Sequence, residues 1–352
     1  MEDFFEYKVW FSTVNISNKK KFILLDNMEN EKHIYENRKF LSRKNKYLKN
    51  LDVDMQNEEV ENIIENIDKN KYKFTTFSEN NYPNTLKDIH DKPYSLFYKG
   101  NIDELNNKIS LAIVGSRNCT SYGREIAKNI AFELGKRNIN IVSGGALGID
   151  TVAHDICNKN NFYNAAILGC GIDICYPSYN KGLYNTIEKN GVIITEYIPK
   201  TPPYRYNFPK RNRIISGISK AVIVVEASSR SGALITCSQA IEQGKDVVAV
   251  PGNVFSSQSI GCNKLINDGA YLFTNIDDML YNLSIDCNYK NNCECNGLEK
   301  LILDKLTGKI MNIDELIRLV DVDTSVIHEL LCELQFENKI INIYGNCYTK
   351  IL

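Results

Sequence analysis

Six short apolar runs follow one another along the middle of the chain from Ser110, and an amphipathic segment separates each run from the next. They read LAIVG, INIVSGG, NAAILGCG, GVIITEY, AVIVVEA and DVVAVPG. Strands that are apolar along their whole length, with no polar alternation, are typical of a parallel sheet covered by helices on both faces. The runs therefore predict an α/β fold built on a doubly wound parallel sheet.

The 352-residue chain is long enough for several domains, because a single core seldom grows beyond roughly 250 to 300 residues. Residues 1–70, with helical apolar spacing in VENIIENI, predict a small helical domain. An extended Rossmann-like core then spans 71–283, and the polar segment 284–297 predicts a linker. Three amphipathic segments and a hairpin around Gly345 and Asn346 predict a C-terminal winged-helix domain over 298–352.

A net charge of −1 leaves no basic field over the whole molecule, so a polyanion would need a local cationic patch. The first residues, MEDFFEYKVW, lack a signal-peptide layout, and no apolar run approaches the roughly 18 residues that span a bilayer. We expect a soluble cytoplasmic protein without membrane contact, whose cysteines stay reduced. Cys287, Cys293 and Cys295 form a C-x5-C-x-C cluster, which is not a usual zinc layout, so no metal is predicted.

Glycine and serine follow most of the predicted strands. In a doubly wound sheet, ligands bind beyond the carboxyl ends of the strands, where bare amides and helix N-termini can face an anion. The candidate anion-binding residues are Gly115 and Ser116, Ser143 and Gly144, and Ser231 and Gly232. Arg117 follows the first pair directly, at the start of a predicted helix. There it either contacts a phosphate, which we favour, or forms a buried salt bridge.

Between Ile198 and Lys220 the chain carries six cations, no carboxylate and several aromatic residues, including the run YRYNFPKRNR. A solvated surface usually mixes charge signs, so this stretch favours a ligand that combines negative charge with flat rings. We expect Lys210, Arg211 and Arg213 to follow a phosphodiester backbone while a base stacks on Phe208. The alternative is an ordinary solvated loop.

Signals for catalysis are weak. GSRNCTSYG is not G-x-G-x-x-G, GCGIDI runs into YP instead of a helix, and no Walker motif occurs. Asp150 and His154 share a helix face and either form an acid–base pair or, as we favour, serve structural roles with other partners. Glu226 ends a strand where it either holds a ribose or, as we favour, accepts hydrogen bonds from the SSRSGA loop. No catalytic residue and no cofactor are predicted.

Several motifs together resemble the DNA-processing protein A family, also called DprA or Smf. They occur in the family's order over about 110–275 and read AIVGSR, SGGALGIDTVAH, ILGCGIDICYPSYN, FPKRNRIISG, VVEASSRSGALIT and AVPGN. The preceding segment NYPNTLKDIHDKPYSLFYKG and the C-terminal region are also similar to this family. The resemblance implies that the domain over 1–70 is SAM- or helix-hairpin-helix-like. These residues resemble the family least, however, and contain no GxG loop of the kind found in a helix-hairpin-helix.

The resemblance implies a non-enzymatic protein that binds and protects incoming single-stranded DNA and loads the RecA recombinase onto it during natural transformation. It also implies a homodimer formed through the Rossmann-like core. The family's binding pocket corresponds to Gly115, Ser116 and Arg117 and to Phe208, Lys210, Arg211 and Asn212.

Two other functions fit the sequence less well. A nucleoside-monophosphate phosphoribohydrolase on a related core would need a PGGxGT loop followed by a catalytic glutamate, but SGALIT and PGN stand apart here. A transcription factor that uses the winged helix would leave the large core unexplained. Its predicted recognition helix, DTSVIHELLCELQFENK, is acidic on balance, which favours contact with protein over insertion into a DNA groove.

Overall fold

The computed structural model describes residues 4–285, 297–320, 322, 324–337 and 339–351. The chain divides into two compact units, Met1–Ile285 and Asp286–Leu352. The cluster of Cys287, Cys293 and Cys295 lies outside the described residues, and so does most of the predicted linker. No helix among the residues with a described conformation combines the length and the apolar composition needed to cross a bilayer.

Within residues 4–285, nine strands form one sheet in the order β1-β2-β6-β5-β4-β3-β7-β8-β9. The strands are β1 Lys73–Thr76, β2 Ser95–Gly100, β3 Ser110–Val114, β4 Asn140–Ser143, β5 Asn164–Ile167, β6 Val192–Thr195, β7 Ala221–Val224, β8 Asp246–Ala249 and β9 Tyr271–Leu272. Pairing is parallel from β6 across to β9, whereas β2 is antiparallel to both β1 and β6. The six apolar runs are β3 to β8, which confirms the predicted doubly wound α/β fold.

Helices connect these strands and precede the first of them. They are α1 Phe5–Thr13, α2 Asn18–Asn27, α3 Glu31–Glu36, α4 Arg38–Lys44, α5 Glu58–Asp68, α6 Asn84–Lys87, α7 Glu104–Asn107, α8 Ser121–Lys136, α9 Ile149–Lys159, α10 Lys181–Asn190, α11 Asn207–Ile218, α12 Gly232–Glu242, α13 Ile260–Asn267 and α14 Ile276–Asn282. Short 3₁₀ helices occupy Lys46–Leu51 and Ser178–Asn180.

The two faces of the sheet pack against different helices, because successive strand residues point to opposite sides. On one face, Ala165 and Val192 share a buried cluster with Ile214 and Ile215 of α11. On the other face, the next residues along β5 and β6 share a cluster with α10 and with helices of the first 68 residues, including the fully buried Trp10. The N-terminal helices therefore cover one face of the sheet.

Strand β3 lies between β4 and β7, and the chain leaves β3 and β7 in opposite directions. Helix α8 leads from β3 to β4 on one side, and α12 leads from β7 to β8 on the other. Diverging connections of this kind open a crevice beyond the carboxyl ends of the two strands. The sheet topology thus fixes where a ligand can enter.

The second unit contains α15 Gly297–Leu306, β10 Met311–Asn312, α16 Ile313–Leu319, α17 Thr324–Phe336, β11 Ile340–Tyr344 and β12 Cys347–Lys350. Its antiparallel strands have the order β10-β12-β11, and Gly345 turns the last hairpin with a φ of 55°. Apolar residues of all three helices, among them Leu306, Leu316 and Leu331, form its core. The winged-helix assignment of this unit stays a prediction.

Candidate nucleic-acid interface

An open cleft of about 690 Å³ lies beyond the carboxyl ends of β3 and β7. Its walls are the loop Gly115–Asn118 after β3, the loop before α11 with the first turns of that helix, and the first turns of α12. It includes residues of the three motifs GSR, FPKRN and SSRSG, which are far apart in the sequence. The cleft therefore occupies the crevice that the diverging connections create.

Phe208 presents an aromatic ring in this cleft. The ring centroid lies 5.3 Å from that of Tyr176, and the two planes are tilted by 41°. The guanidinium carbons of Arg117 and Arg211 lie 6.0 and 5.9 Å from the Phe208 centroid. A Cβ on Gly169 would approach the ring to 2.9 Å, so glycine at that position leaves space for it. A flat ring with two cations close by suits a nucleobase attached to phosphate.

Arg211 is buried and fastens α11 to the ends of β4 and β5. Its Nη1 donates to the carbonyl oxygens of Gly144, at 2.7 Å, and Ile167, and its Nε donates to Asn212 at 3.1 Å. Desolvation lowers the pKa of Arg211, and the same cause raises the pKa of the nearby Asp150, whose negative charge in turn favours the charged guanidinium. Arg211 thus forms part of the cleft's framework.

Asp150 and His154 have separate structural partners, as we favoured. Asp150 accepts hydrogen bonds from the backbone N–H groups of Gly144, at 3.1 Å, and Ala146, at 3.3 Å. Nδ1 of the fully buried His154 lies 2.7 Å from the side-chain oxygen of Asn164, and burial lowers the pKa of this histidine to about 4. Each side chain therefore has its own partner, as expected for two structural roles.

Ser143 and Gly144 are buried beneath the cleft and do not line it. The Ser143 hydroxyl donates to the carbonyl of Ile113 at 2.6 Å, and the Gly144 N–H is taken by Asp150. A Cβ on Gly144 would stand 2.7 Å from Nη2 of Arg211. Gly144 is therefore needed so that the arginine and the carboxylate can approach the backbone.

Arg117 and Arg205 are exposed and line the cleft. Among the residues that the structure describes, neither lies within 4.0 Å of a carboxylate oxygen. Both guanidinium groups therefore keep their donors for a ligand. Arg205, with Asn118, Tyr176 and Gln258, was not singled out from the sequence. Arg205 belongs to the cationic stretch, and its position beside two prolines and before the helix start was the signal for it.

Helix α12 directs its N-terminus toward the cleft. Ser231 caps this helix by accepting a hydrogen bond from the N–H of Ala233 at 3.3 Å, and it lines the cleft together with Gly232. Gly232 is exposed, and a Cβ built on it would meet no atom within 4 Å. Asn212 of α11 joins the two walls by donating to the Gly232 carbonyl at 3.4 Å. A helix start with open space before it favours an anion.

Glu226 occupies the N-terminus of α8 instead. Its carboxylate accepts from the N–H of Thr120 at 2.8 Å and from the hydroxyl of the same residue at 2.6 Å. The expectation that Glu226 bonds to the SSRSGA loop is therefore wrong. A Cβ on Gly123 would stand 2.4 Å from the carboxylate, so glycine in the first turn of α8 admits it there. This buried carboxylate supplies the negative charge that a helix N-terminus favours.

Lys210 and Arg213 do not line the cleft. Arg213 is buried, with Nε 3.1 Å from Asp91 and Nη2 2.5 Å from Glu196. Lys210 is exposed. Burial lowers the pKa of Lys21 in α2 to about 7, and the positive charge of Lys210 adds to this effect, so Lys210 lies near Lys21. Of the predicted cationic contacts, the structure brings Arg117 and Arg211 together at Phe208 and directs the other two elsewhere.

The described residues contain no group of three or more histidine, cysteine or acidic side chains arranged to hold a metal ion. The fold and the cleft together define a doubly wound α/β protein suited to a polyanion that carries flat rings.

The chain belongs to the DNA recombination-mediator protein A family, whose profile matches residues 73–284. The resemblance drawn from the sequence motifs is thereby confirmed, and membership gives the chain a role in DNA processing connected with recombination. The chain is 43% identical to the DNA processing protein DprA of Streptococcus pneumoniae over 216 residues, which are 61% of this chain and 76% of that protein.

Two solved structures of relatives have the same fold. The X-ray structure of the Streptococcus pneumoniae protein matches with a TM-score of 0.66 and 35% identity, covering 78% of this chain and 95% of that one. DNA processing protein A from Helicobacter pylori, described as having a unique single-stranded DNA binding mode, matches with a TM-score of 0.55 and 29% identity. That match covers 60% of this chain and 95% of the Helicobacter pylori chain.

Proposed function

We propose that this protein binds single-stranded DNA in the cleft beyond β3 and β7. The observation that carries the proposal is the Phe208 ring in an open cleft, beside Arg117, which is exposed and has no ion-pair partner among the described residues. A base stacks on the ring while Arg117 and Arg205 contact the phosphates on either side. The N–H of Gly232, at the start of α12, faces a further phosphate oxygen.

The geometry favours a single strand over a duplex. Stacking on Phe208 requires a base whose face is free, and the bases of a duplex already stack on one another. The proposed contacts are one aromatic face, cationic side chains and backbone amides, none of which reads base edges. Binding should therefore tolerate any sequence.

A salt titration tests this proposal. Binding of fluorescent oligo-dT and of duplex DNA of equal length would be measured by anisotropy across a range of salt concentrations. We expect tighter binding to oligo-dT, with log K falling against log salt by about 0.7 for each phosphate contacted. Duplex binding as tight as oligo-dT binding at every salt concentration would contradict the proposal.

We also propose that the chain acts in the cytoplasm to protect incoming single strands and to load RecA during natural transformation. Family membership supports this role, and a grip that reads no sequence is what a loader requires. Purified protein should relieve the block that single-strand-binding protein imposes on RecA filament growth. Arg117→Glu should weaken that relief in parallel with its weaker binding of DNA. Relief that persists in a variant unable to bind oligo-dT would contradict loading through this cleft.

A homodimer through the core is a further part of the proposal. Strand β9 is a short edge of the sheet, and both of its side chains are exposed, with Tyr271 40% and Leu272 46% accessible. An edge strand beside exposed apolar residues favours pairing with another chain. Light scattering should give the mass of two chains for the wild type and of one chain for Leu272→Asp. A wild-type monomer at micromolar concentration would contradict the dimer.

We infer that the protein is not an enzyme. Glu226, the residue that the phosphoribohydrolase alternative would use, is 2% exposed and already accepts two hydrogen bonds from Thr120. Incubation with nucleoside monophosphates should release no free base above a blank. Base release that Glu226→Gln abolishes would favour the enzyme instead.

A further inference from the structure

Two exposed tyrosines stack on each other in the loop before α11. The ring centroids of Tyr204 and Tyr206 lie 5.3 Å apart, and their planes differ by 9°. The two residues are 47% and 70% exposed. Trp10 and Phe11 also stack, with planes 27° apart, but both are fully buried in the core. The tyrosine pair thus keeps aromatic surface in water, where it stabilises little of the fold.

The loop that carries the pair is held in place. Pro202 and Pro203 precede it and restrict the backbone, and the N–H of Tyr204 donates to the carbonyl of Pro202 at 2.8 Å. The N–H of Asn207 donates back to the carbonyl of Tyr204 at 3.0 Å, which ties the loop to the start of α11. The rings are therefore preorganised, so a ligand that stacks on them bears little of the ordering cost.

The pair also adjoins the cleft. Arg205, the residue between the two tyrosines, lines the cleft, as does Pro203 before them. Phe208, the proposed stacking ring, lies two residues after Tyr206 and also lines the cleft. A single strand whose base stacks on Phe208 and whose phosphate meets Arg205 therefore passes beside the tyrosine pair.

We propose that the Tyr204–Tyr206 pair is a second stacking site for an unpaired nucleobase, outside the cleft and on the same strand. This inference rests on the proposed binding of single-stranded DNA. The outer face of a stacked ring pair offers a base the same contact as the next base in a strand, and every base has such a face. The pair extends the length of strand that the protein contacts, independently of sequence.

A length series separates this site from the cleft. Oligo-dT from roughly 4 to roughly 30 nucleotides would be titrated against the wild type and the double variant Tyr204→Ala/Tyr206→Ala. The shortest oligonucleotides that bind the wild type occupy the cleft alone and should bind both proteins equally. The longer ones should bind the variant on the order of tenfold more weakly, with an unchanged salt slope, because stacking releases no counterions. Tyr204→Phe/Tyr206→Phe keeps both rings and should match the wild type.

A fluorescent variant reports on the stack directly. The chain has one tryptophan, Trp10, which is fully buried and gives a constant background. In Tyr206→Trp, long oligo-dT should quench the fluorescence of the new indole. The control is an oligonucleotide of equal length that keeps its central bases and has abasic sugars on both sides of them; it should bind without quenching this fluorescence.

The outcomes are distinguishable. If the wild type binds no oligo-dT, the proposed function fails. If the wild type binds but the double alanine variant keeps full affinity at every length, or loses short and long oligonucleotides alike, the second site is overturned. Equal quenching by the abasic oligonucleotide would also overturn it.

Discussion

The arginines of helix α11 and the arginines of the loops around it differ in burial and in partners. Arg211 and Arg213 are 4% and 6% exposed and bond to carbonyl and carboxylate groups of the fold. Arg117 and Arg205 are exposed, with no carboxylate within 4.0 Å in the part of the chain that is described. The arginines in and around the cleft thus form two populations. Buried arginines use their donors to hold the structure, and exposed loop arginines keep theirs for a ligand.

The division within α11 follows from helix geometry. Residues two positions apart on an α-helix point about 200° away from each other, so Arg211 and Arg213 leave opposite sides of it. Arg211 meets the ends of β4 and β5 below the cleft, and Arg213 meets Asp91 and Glu196. The two cations cannot both follow one phosphodiester backbone along the same side of the helix.

The largest effect should come from a buried arginine. Arg213→Ala leaves Glu196, whose side chain is 6% exposed, without its cation, and we expect the free energy of unfolding to fall by about 3 to 5 kcal/mol. Urea denaturation followed by circular dichroism measures the change. The matched variant Arg117→Ala removes an exposed, unpaired cation and should stay within about 0.5 kcal/mol of the wild type. Equal losses for the two variants would break the comparison.

The pH dependence of stability should also come from a buried group. The pKa of His154 is about 4 in the folded chain against an ordinary value of 6.5, because burial disfavours the charged ring. As the pH falls below 6.5, the imidazole of His154 becomes protonated in the unfolded chain at a higher pH than in the folded chain. The free energy of unfolding should therefore decrease between pH 6.5 and 4, by at most about 3 kcal/mol.

His154→Gln should flatten this part of the stability profile in urea titrations at several pH values. His154 does not line the cleft, so the affinity for oligo-dT should be the same for His154→Gln as for the wild type. A wild-type stability profile that is flat between pH 6.5 and 4 would show that His154 is accessible to protons in the folded chain.

Much of the fold could be predicted from local sequence, and less of the site. The apolar runs identify β3 to β8, and the residues that follow them locate Arg117 and Gly232 at the ligand edge. The directions of Arg211 and Arg213 depend on where α11 begins, and helix ends are the least certain feature of a sequence-based prediction. Glu226 bonds to Thr120, 106 positions away, and no local pattern indicates that contact. Tertiary packing determines the directions and the partners of these side chains.

The Phe208 ring contacts one arginine of each kind, because it lies about equally far from the exposed Arg117 and the buried Arg211. Phe208→Leu keeps apolar volume against Gly169 but removes the stacking face, so we expect binding of oligo-dT to weaken by about 1 to 3 kcal/mol. The slope of log K against log salt should not change, because no counterion is released by stacking. Phe208→Tyr keeps the ring and serves as the control. A reduced slope for Phe208→Leu would show that the ring positions the arginines instead.

The smallest effect should come from the exposed arginines taken singly. Arg117→Gln and Arg205→Gln each remove one charge from the cleft without uncovering a buried partner, so neither should lower stability. Each should reduce the slope of log K against log salt by about 0.7, which corresponds to roughly fourfold weaker oligo-dT binding at 0.15 M salt. In the double variant, the two reductions in slope should add. Lys245→Gln is the matched control, because Lys245 precedes β8 and so lies at the amino edge of the sheet, opposite the cleft. If Lys245→Gln lowers the slope as much as Arg117→Gln, the DNA responds to overall charge and not to the loop arginines, and the distinction between the two populations has no consequence for binding.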